Sequence, residues 1–142
     1  MDKVQSKPDF QDLAKDAVEI AKKNNYILDF SNQSIKTLDT YLLRMYSQAQ
    51  IKEVSEDQYA KMAMIFGAYV GETFIRNTKK GGWVFEPSQK AWAVKVDKSF
   101  IFFPAKVYRR LKYGEEESVT QLYVHEYKLY TGKDLDLTTF PV

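Results

Sequence analysis

Glu72 and Arg76 stand one helical turn apart, at the end of an apolar run and just ahead of Gly81-Gly82-Trp83. A carboxylate four residues before a guanidinium can pair with it along a helix. If Glu72 is partly buried beneath the strands that follow, its charge needs compensation from Arg76 or from the amides of Gly81 and Gly82. A raised pKa there would suit general acid or base work. The structural ion pair is favoured, because no second carboxylate stands near enough in sequence for a hydrolytic pair. Lys79-Lys80-Gly81-Gly82 offers cations and flexible backbone but lacks the closing Lys-Ser or Lys-Thr of a phosphate-binding loop, so it reads as a helix-to-strand turn. The chain has no cysteine and one histidine, His125. Disulfides, thiolate zinc sites, cysteine nucleophiles and imidazole clusters are excluded by inventory. No catalytic residue, metal ligand or cofactor is assigned.

Charge supplies the other chemical signal. Residues 76–112 hold ten basic and two acidic side chains, a net of +8, against −6 for the rest of the chain. The expected result is a positive patch with Tyr108, Arg109 and Arg110 at its core. Such a patch suits an acidic protein, an anionic ligand or nucleic acid, though it is equally an ordinary solvated face. Nucleic acid is disfavoured because no recognised binding motif accompanies the charge. The tyrosines of the last two helices, Tyr113, Tyr123, Tyr127 and Tyr130 among them, cover apolar surface with a polar tip and are also what an interface would use.

The elements that must position these residues follow from periodicity. The 142 residues, 44% hydrophobic and 15% aromatic, suit one domain spanning 1–142, with 1–8 and 133–142 extended or frayed. Apolar residues Phe10, Leu13, Ala14, Ala17, Ile20 and Ala21 recur at helical spacing over 9–23, and Asn24-Asn25 stops the run. A second helix starts near Ser31 or Ser34 with Ile35, Leu38, Leu42 and Met45 as its buried stripe. Ser55 and Gln58 have the spacing of a capping box for a third helix over 59–71, apolar on nearly every side and therefore central. Ala63, Gly67 and Gly71 strip bulk from one of its faces, which favours close packing over a ligand. Its apolar run, 62–71, is ten residues, about half of the ~20 needed to span a bilayer.

Past Gly82 the pattern turns to short aromatic and β-branched runs at 83–85, 91–96 and 100–103, separated by turn residues. They predict a three-stranded antiparallel meander, with Trp92, Val94 and Val96 on the packed face and Ala91, Ala93 and Lys95 on the lighter one. Trp83 and Trp92 should anchor the sheet on the helices. Pro104 and Gly114 bracket a short basic helix, and a last helix is expected over 116–130. The fold class is therefore α+β: a helical N-terminal half whose central apolar helix packs on a three-stranded antiparallel meander, then two C-terminal helices. The polar residues 1–9 argue against a secretory signal, and the cytoplasm is the expected location.

Leu28-Asp29-Phe30-Ser31 with Ser34, Leu38 and Asp39, then Phe66-Gly67-Ala68-Tyr69-Val70-Gly71-Glu72, Gly81-Gly82-Trp83, and Phe103-Pro104 with Val107, Arg110 and Leu111 occur in one order over 28–114. This order resembles a family of small uncharacterised bacterial proteins, a domain of unknown function with a GAYxGE...GGW pattern. The resemblance implies a compact cytosolic α+β domain with no assigned reaction, nearer to accessory or toxin-neutralising proteins than to enzymes. Its shared positions Gly67, Gly71, Glu72, Gly82 and Trp83 are those singled out on physical grounds.

Three functions are expected in descending order. The first is a non-catalytic protein-binding domain, an immunity-type inhibitor in one form, that meets an acidic partner through Tyr108, Arg109 and Arg110. The second is a small-molecule-binding domain or enzyme with a cleft beside Gly71, Glu72, Arg76 and Trp83. The third is a nucleic-acid binder through Lys79, Lys80, Lys106, Arg109 and Arg110.

Overall fold

Helix α1, Phe10–Lys23, begins where the Asp9 carboxylate accepts the Asp12 amide at 3.1 Å. That acceptor satisfies one of the orphan donors of a first turn. The computed structural model describes residues 6–137. Residues 1–5 and 138–142, parts of the ends expected to fray or wrap, lie outside the described residues. The buried stripe of α1 is Phe10, Ala14, Ala17 and Ala21. Three alanines in a row of four let this helix lie close against the central one, with which its contacts are extensive. Asn24 caps the C-terminus and Asn25 takes φ +70°, a left-handed backbone that short amides tolerate.

Helix α2, Gln33–Ala49, is started by Ser31, whose hydroxyl accepts the Ser34 amide at 3.1 Å. Asp29 in turn holds that hydroxyl at 2.6 Å. Ile35, Leu38 and Leu42 are buried as the spacing predicts, Met45 is half-buried, and Asp39 is buried with them.

Helix α3, Glu56–Thr78, opens with the Ser55–Gln58 capping box and runs two turns beyond the expected 71. Glu72, Thr73 and Phe74 are buried in this extension. Glu72 finds a partner inside in the Trp83 indole and Phe74 joins the core, and the helix stops only where Lys79 turns left-handed at φ +60°. Its glycines admit neighbours. A Cβ at Gly67 would stand 2.4 Å from the Pro104 Cα, and one at Gly71 would stand 2.2 Å from the Trp83 ring.

Strands β1, Gly82–Glu86, β2, Ala91–Val96, and β3, Ser99–Ile101, form an antiparallel meander in sequence order. Trp83 pairs with Val94 and Val94 with Ile101, all buried on the face toward α3. Gly82, Lys95 and Phe100 lie opposite one another on the outer face, all exposed. The alternation places Trp92, Val94 and Val96 inward as predicted. Ala93 departs from it, being fully buried on the outer side. A methyl group is short enough to be covered by its longer neighbours.

Helix α4, Phe103–Tyr113, has Pro104 in its first turn and Gly114 at its end. The expected last helix begins later than 116. Glu115–Glu117 forms a separate 3-10 turn, and α5, Val119–Thr131, is capped by the Ser118 hydroxyl accepting the Gln121 amide. Residues 133–137 have no regular structure, although Leu137 is buried. Phe74, Phe103 and Tyr123 meet where α3, α4 and α5 converge, while Phe66 and Tyr69 of α3 face Tyr41 of α2 and Phe30 before it.

Candidate functional site

Glu72 turns toward the sheet, where the Trp83 indole N–H donates to its Oε2 at 2.9 Å. The notch left by Gly71 receives the Trp83 ring, and Phe10 of α1 stacks on that ring at 3.9 Å and 7°. Such a stack adds about 0.5–1.5 kcal/mol beyond its buried area. Trp92 meets Phe10 and Phe85 edge-on, so both tryptophans anchor the sheet on α1 and α3. The Glu72–Arg76 pair expected from spacing does not form. Arg76 lies over the Phe30 ring at 3.7 Å, a cation–π contact. Neither Gly81 nor Gly82 donates to Glu72; the indole is its partner. A hollow of about 200 Å³ beside Glu72 and Trp83 is walled by Lys7, Asp9 and Phe10. Gly71 is occupied by the ring and Arg76 is elsewhere, so the expected cleft keeps only two of its four residues.

Gly82 has open space where a Cβ would stand, in contrast to the structural role expected of it. The constrained residue is Gly81, at φ +96° with a would-be Cβ 2.7 Å from Val94. Only glycine adopts that backbone cheaply at such close quarters.

Arg110 was expected on the partner surface and is buried. Its Nε donates to Asp39 Oδ1 at 2.7 Å and its Nη1 to the Gly114 carbonyl at 2.9 Å. Asp39 Oδ2 accepts from Ser118 Oγ, the Thr120 amide and Thr120 Oγ1 at 2.9, 3.1 and 2.7 Å. This cluster ties α2 to α4 and to the start of α5, and periodicity alone did not reveal it. The signal was an aspartate inside the apolar stripe of α2 and an arginine between Val107 and Leu111 of α4.

The rest of α4 is likewise internally paired. Arg109 and Lys106 share Glu117 at 3.1 and 3.4 Å, and hydrogen bonds from Arg109 first and Lys106 second hold that carboxyl below its usual range. Lys112 pairs with Glu56, which also accepts from Tyr108 Oη at 2.6 Å. The Lys112 bond, then the Tyr108 bond, lowers the Glu56 pKa, and the Glu56 bond raises the pKa of Lys112. Tyr108, Arg109 and Arg110 therefore do not form the exposed core of a positive patch.

Within residues 76–112, the lysines without a carboxylate partner lie in β2 and in the turns around the sheet. Lys79, Lys80, Lys90, Lys95 and Lys98 are exposed and have no acidic partner among the described residues. The register gathers four of them at one end, where β1 starts, β2 ends and the β2–β3 turn lies; Lys90 sits in the opposite turn. Between them Phe100 is 37% exposed, with the Lys95 ammonium 5.6 Å from its ring centre. Asp97 is the one carboxylate in the crowded turn.

His125 is exposed, 3.9 Å from Glu126. Among the described residues, no three acidic or histidine side chains converge as a metal site would require, and no helix is long and apolar enough to cross a membrane. Comparison with family models, curated proteins and solved structures returns no match.

Proposed function

We propose that this chain is a non-catalytic protein-binding domain that engages an acidic protein through the outer face of its sheet. The observation that carries this reading is the separation of paired from unpaired cations. The basic residues of α4 are consumed by Asp39, Glu56 and Glu117, while the lysines around Lys95 and Phe100 retain their charge for a partner. An exposed ring ringed by cations offers an apolar centre and a charged rim, as partner surfaces do. A ring among lysines also suits base stacking, so the nuclease arm of the crosslinking test separates protein from nucleic acid; protein is favoured here because no nucleic-acid-binding motif accompanies the charge. Kinship with the bacterial GAYxGE...GGW proteins, an immunity-type role and a cytoplasmic setting belong to the same proposal.

A photo-crosslinking amino acid at Phe100, with one at the Arg109 position as control, tests the reading in nuclease-treated host lysate. The expected outcome is an acidic protein captured from position 100 only, and lost with Lys95→Glu/Lys98→Glu. Capture from both positions alike, or of nucleic acid alone before nuclease, overturns it. A second reading, a small ligand at the hollow beside Glu72, rests on that carboxylate being buried with the Trp83 indole as its donor. Ligand-dependent change in Trp83 fluorescence would test it.

A further inference from the structure

A separate cavity of about 230 Å³ opens between the C-terminal half of α2 and the first turns of α3. Its apolar lining includes Met45, Met62 and Leu111. Two thioether chains give it an adaptable apolar surface. Its polar lining includes Lys52, Gln48, Gln58 and the tyrosines Tyr41 and Tyr59, and no carboxylate lines it. The Gln58 carbonyl oxygen is committed to the Ser55 amide at 3.0 Å, which leaves its NH₂ as the end available to a ligand. The one charged lining residue, Lys52, and the Gln58 NH₂ favour an anionic head, while the thioether and leucine chains favour an apolar body. The volume is below the roughly 300 Å³ at which drug-sized sites begin, which limits the occupant to a fragment-sized molecule.

We infer that this cavity is a binding site for a small apolar carboxylic acid, its ring or branched chain against Met45, Met62 and Leu111 and its carboxylate at Lys52 and Gln58. The site is independent of the sheet face. Tyr59, which also lines it, and Gly71, which receives Trp83, are twelve residues apart on α3, about 18 Å at the helical rise. Exposed Ile51 stands in the connection beside the cavity.

The test uses the full chain titrated with 4-phenylbutyrate, 4-phenylbutanol and 4-phenylbutylamine, read by calorimetry and by backbone amide shifts. The acid is expected to saturate with a Kd on the order of 0.1–1 mM, as its size allows. Shifts should centre on residues 45–62. The alcohol and the amine should bind more weakly than the acid. Lys52→Met should weaken the acid about fivefold to tenfold and leave the alcohol unchanged. Ala49→Phe, which fills the cavity mouth, should remove binding of both while thermal unfolding shows that the variant remains folded; if it does not fold, Lys52→Met alone carries the test. Absence of saturable binding, equal affinity for acid and amine, an acid affinity insensitive to Lys52→Met, or shifts elsewhere on the chain would each overturn the inference.

Discussion

Removing Asp39 by Asp39→Ala should cost the fold more than any other single polar truncation described here. The Arg110 guanidinium would remain buried without its counter-charge, and Ser118 Oγ, the Thr120 amide and Thr120 Oγ1 would lose their common acceptor. Both side chains of the pair are 7% exposed, so water cannot readily replace the lost partner. Breaking one side of a buried ion pair costs about 3–5 kcal/mol. A domain of this size has roughly 5–15 kcal/mol in all, so the variant should unfold at much lower urea. The double substitution Asp39→Leu/Arg110→Met removes both charges together. It should recover most of the loss, because an apolar replacement of a buried pair is often neutral or stabilising by about 1–4 kcal/mol. Urea unfolding followed by far-UV circular dichroism, completed by Arg110→Met as the fourth corner of a double-mutant cycle, measures the coupling. A loss below about 1 kcal/mol for Asp39→Ala, the level of an exposed pair, would refute the reasoning.

Three further outcomes follow from the geometry. Gly71→Ala should displace the Trp83 ring, costing about 1–3 kcal/mol and shifting tryptophan fluorescence, whereas Gly82→Ala should stay within about 0.5 kcal/mol of the parent; equal effects in urea unfolding would contradict the contacts. Trp83→Phe should strand the Glu72 carboxylate and cost about 1–3 kcal/mol or more, with part regained in Glu72→Leu/Trp83→Phe; no loss by thermal unfolding would show the indole bond to be dispensable. Burial raises the Glu126 pKa, with His125 opposing. The native state therefore holds a proton where the unfolded state has released it. Stability must fall as pH rises from the ordinary carboxylate pKa through the raised one. Glu126→Gln should lack that fall and exceed the parent above it, and urea midpoints at pH 4 and 7 that move in parallel for the two proteins would exclude it.

The helices and the meander were legible because their signals are local. The Ser55–Gln58 box, the alanine stripe of α1, the Pro104 and Gly114 brackets and the period-two alternation of β2 each depend on neighbours a few residues away. Where local signals competed, the reading failed by a turn. The glutamates 115–117 suggested the start of a helix, but Ser118 is the better cap. The apolar run of α3 ended at 71, but the helix continued because Glu72, Thr73 and Phe74 are buried by other elements.

The candidate site was less legible. Composition located the excess of positive charge in 76–112, and the topology decided which of those charges are already used. Asp39 lies 71 residues before Arg110, and Glu56 lies 56 before Lys112; no periodicity links residues so far apart. Spacing pointed Glu72 to Arg76 or to the Gly81 and Gly82 amides and gave no sign of the Trp83 indole. A helix turn brings the first pair within reach at all times, but the indole wins because packing of the sheet on Gly71 delivers its N–H to a carboxylate already removed from water. The chain alone thus determined which residues are apolar, where helices begin, and that glycines must admit close neighbours. The tertiary structure decided which charges are neutralised and which face solvent, because compensation of a charge depends on distance through space and not on separation along the backbone.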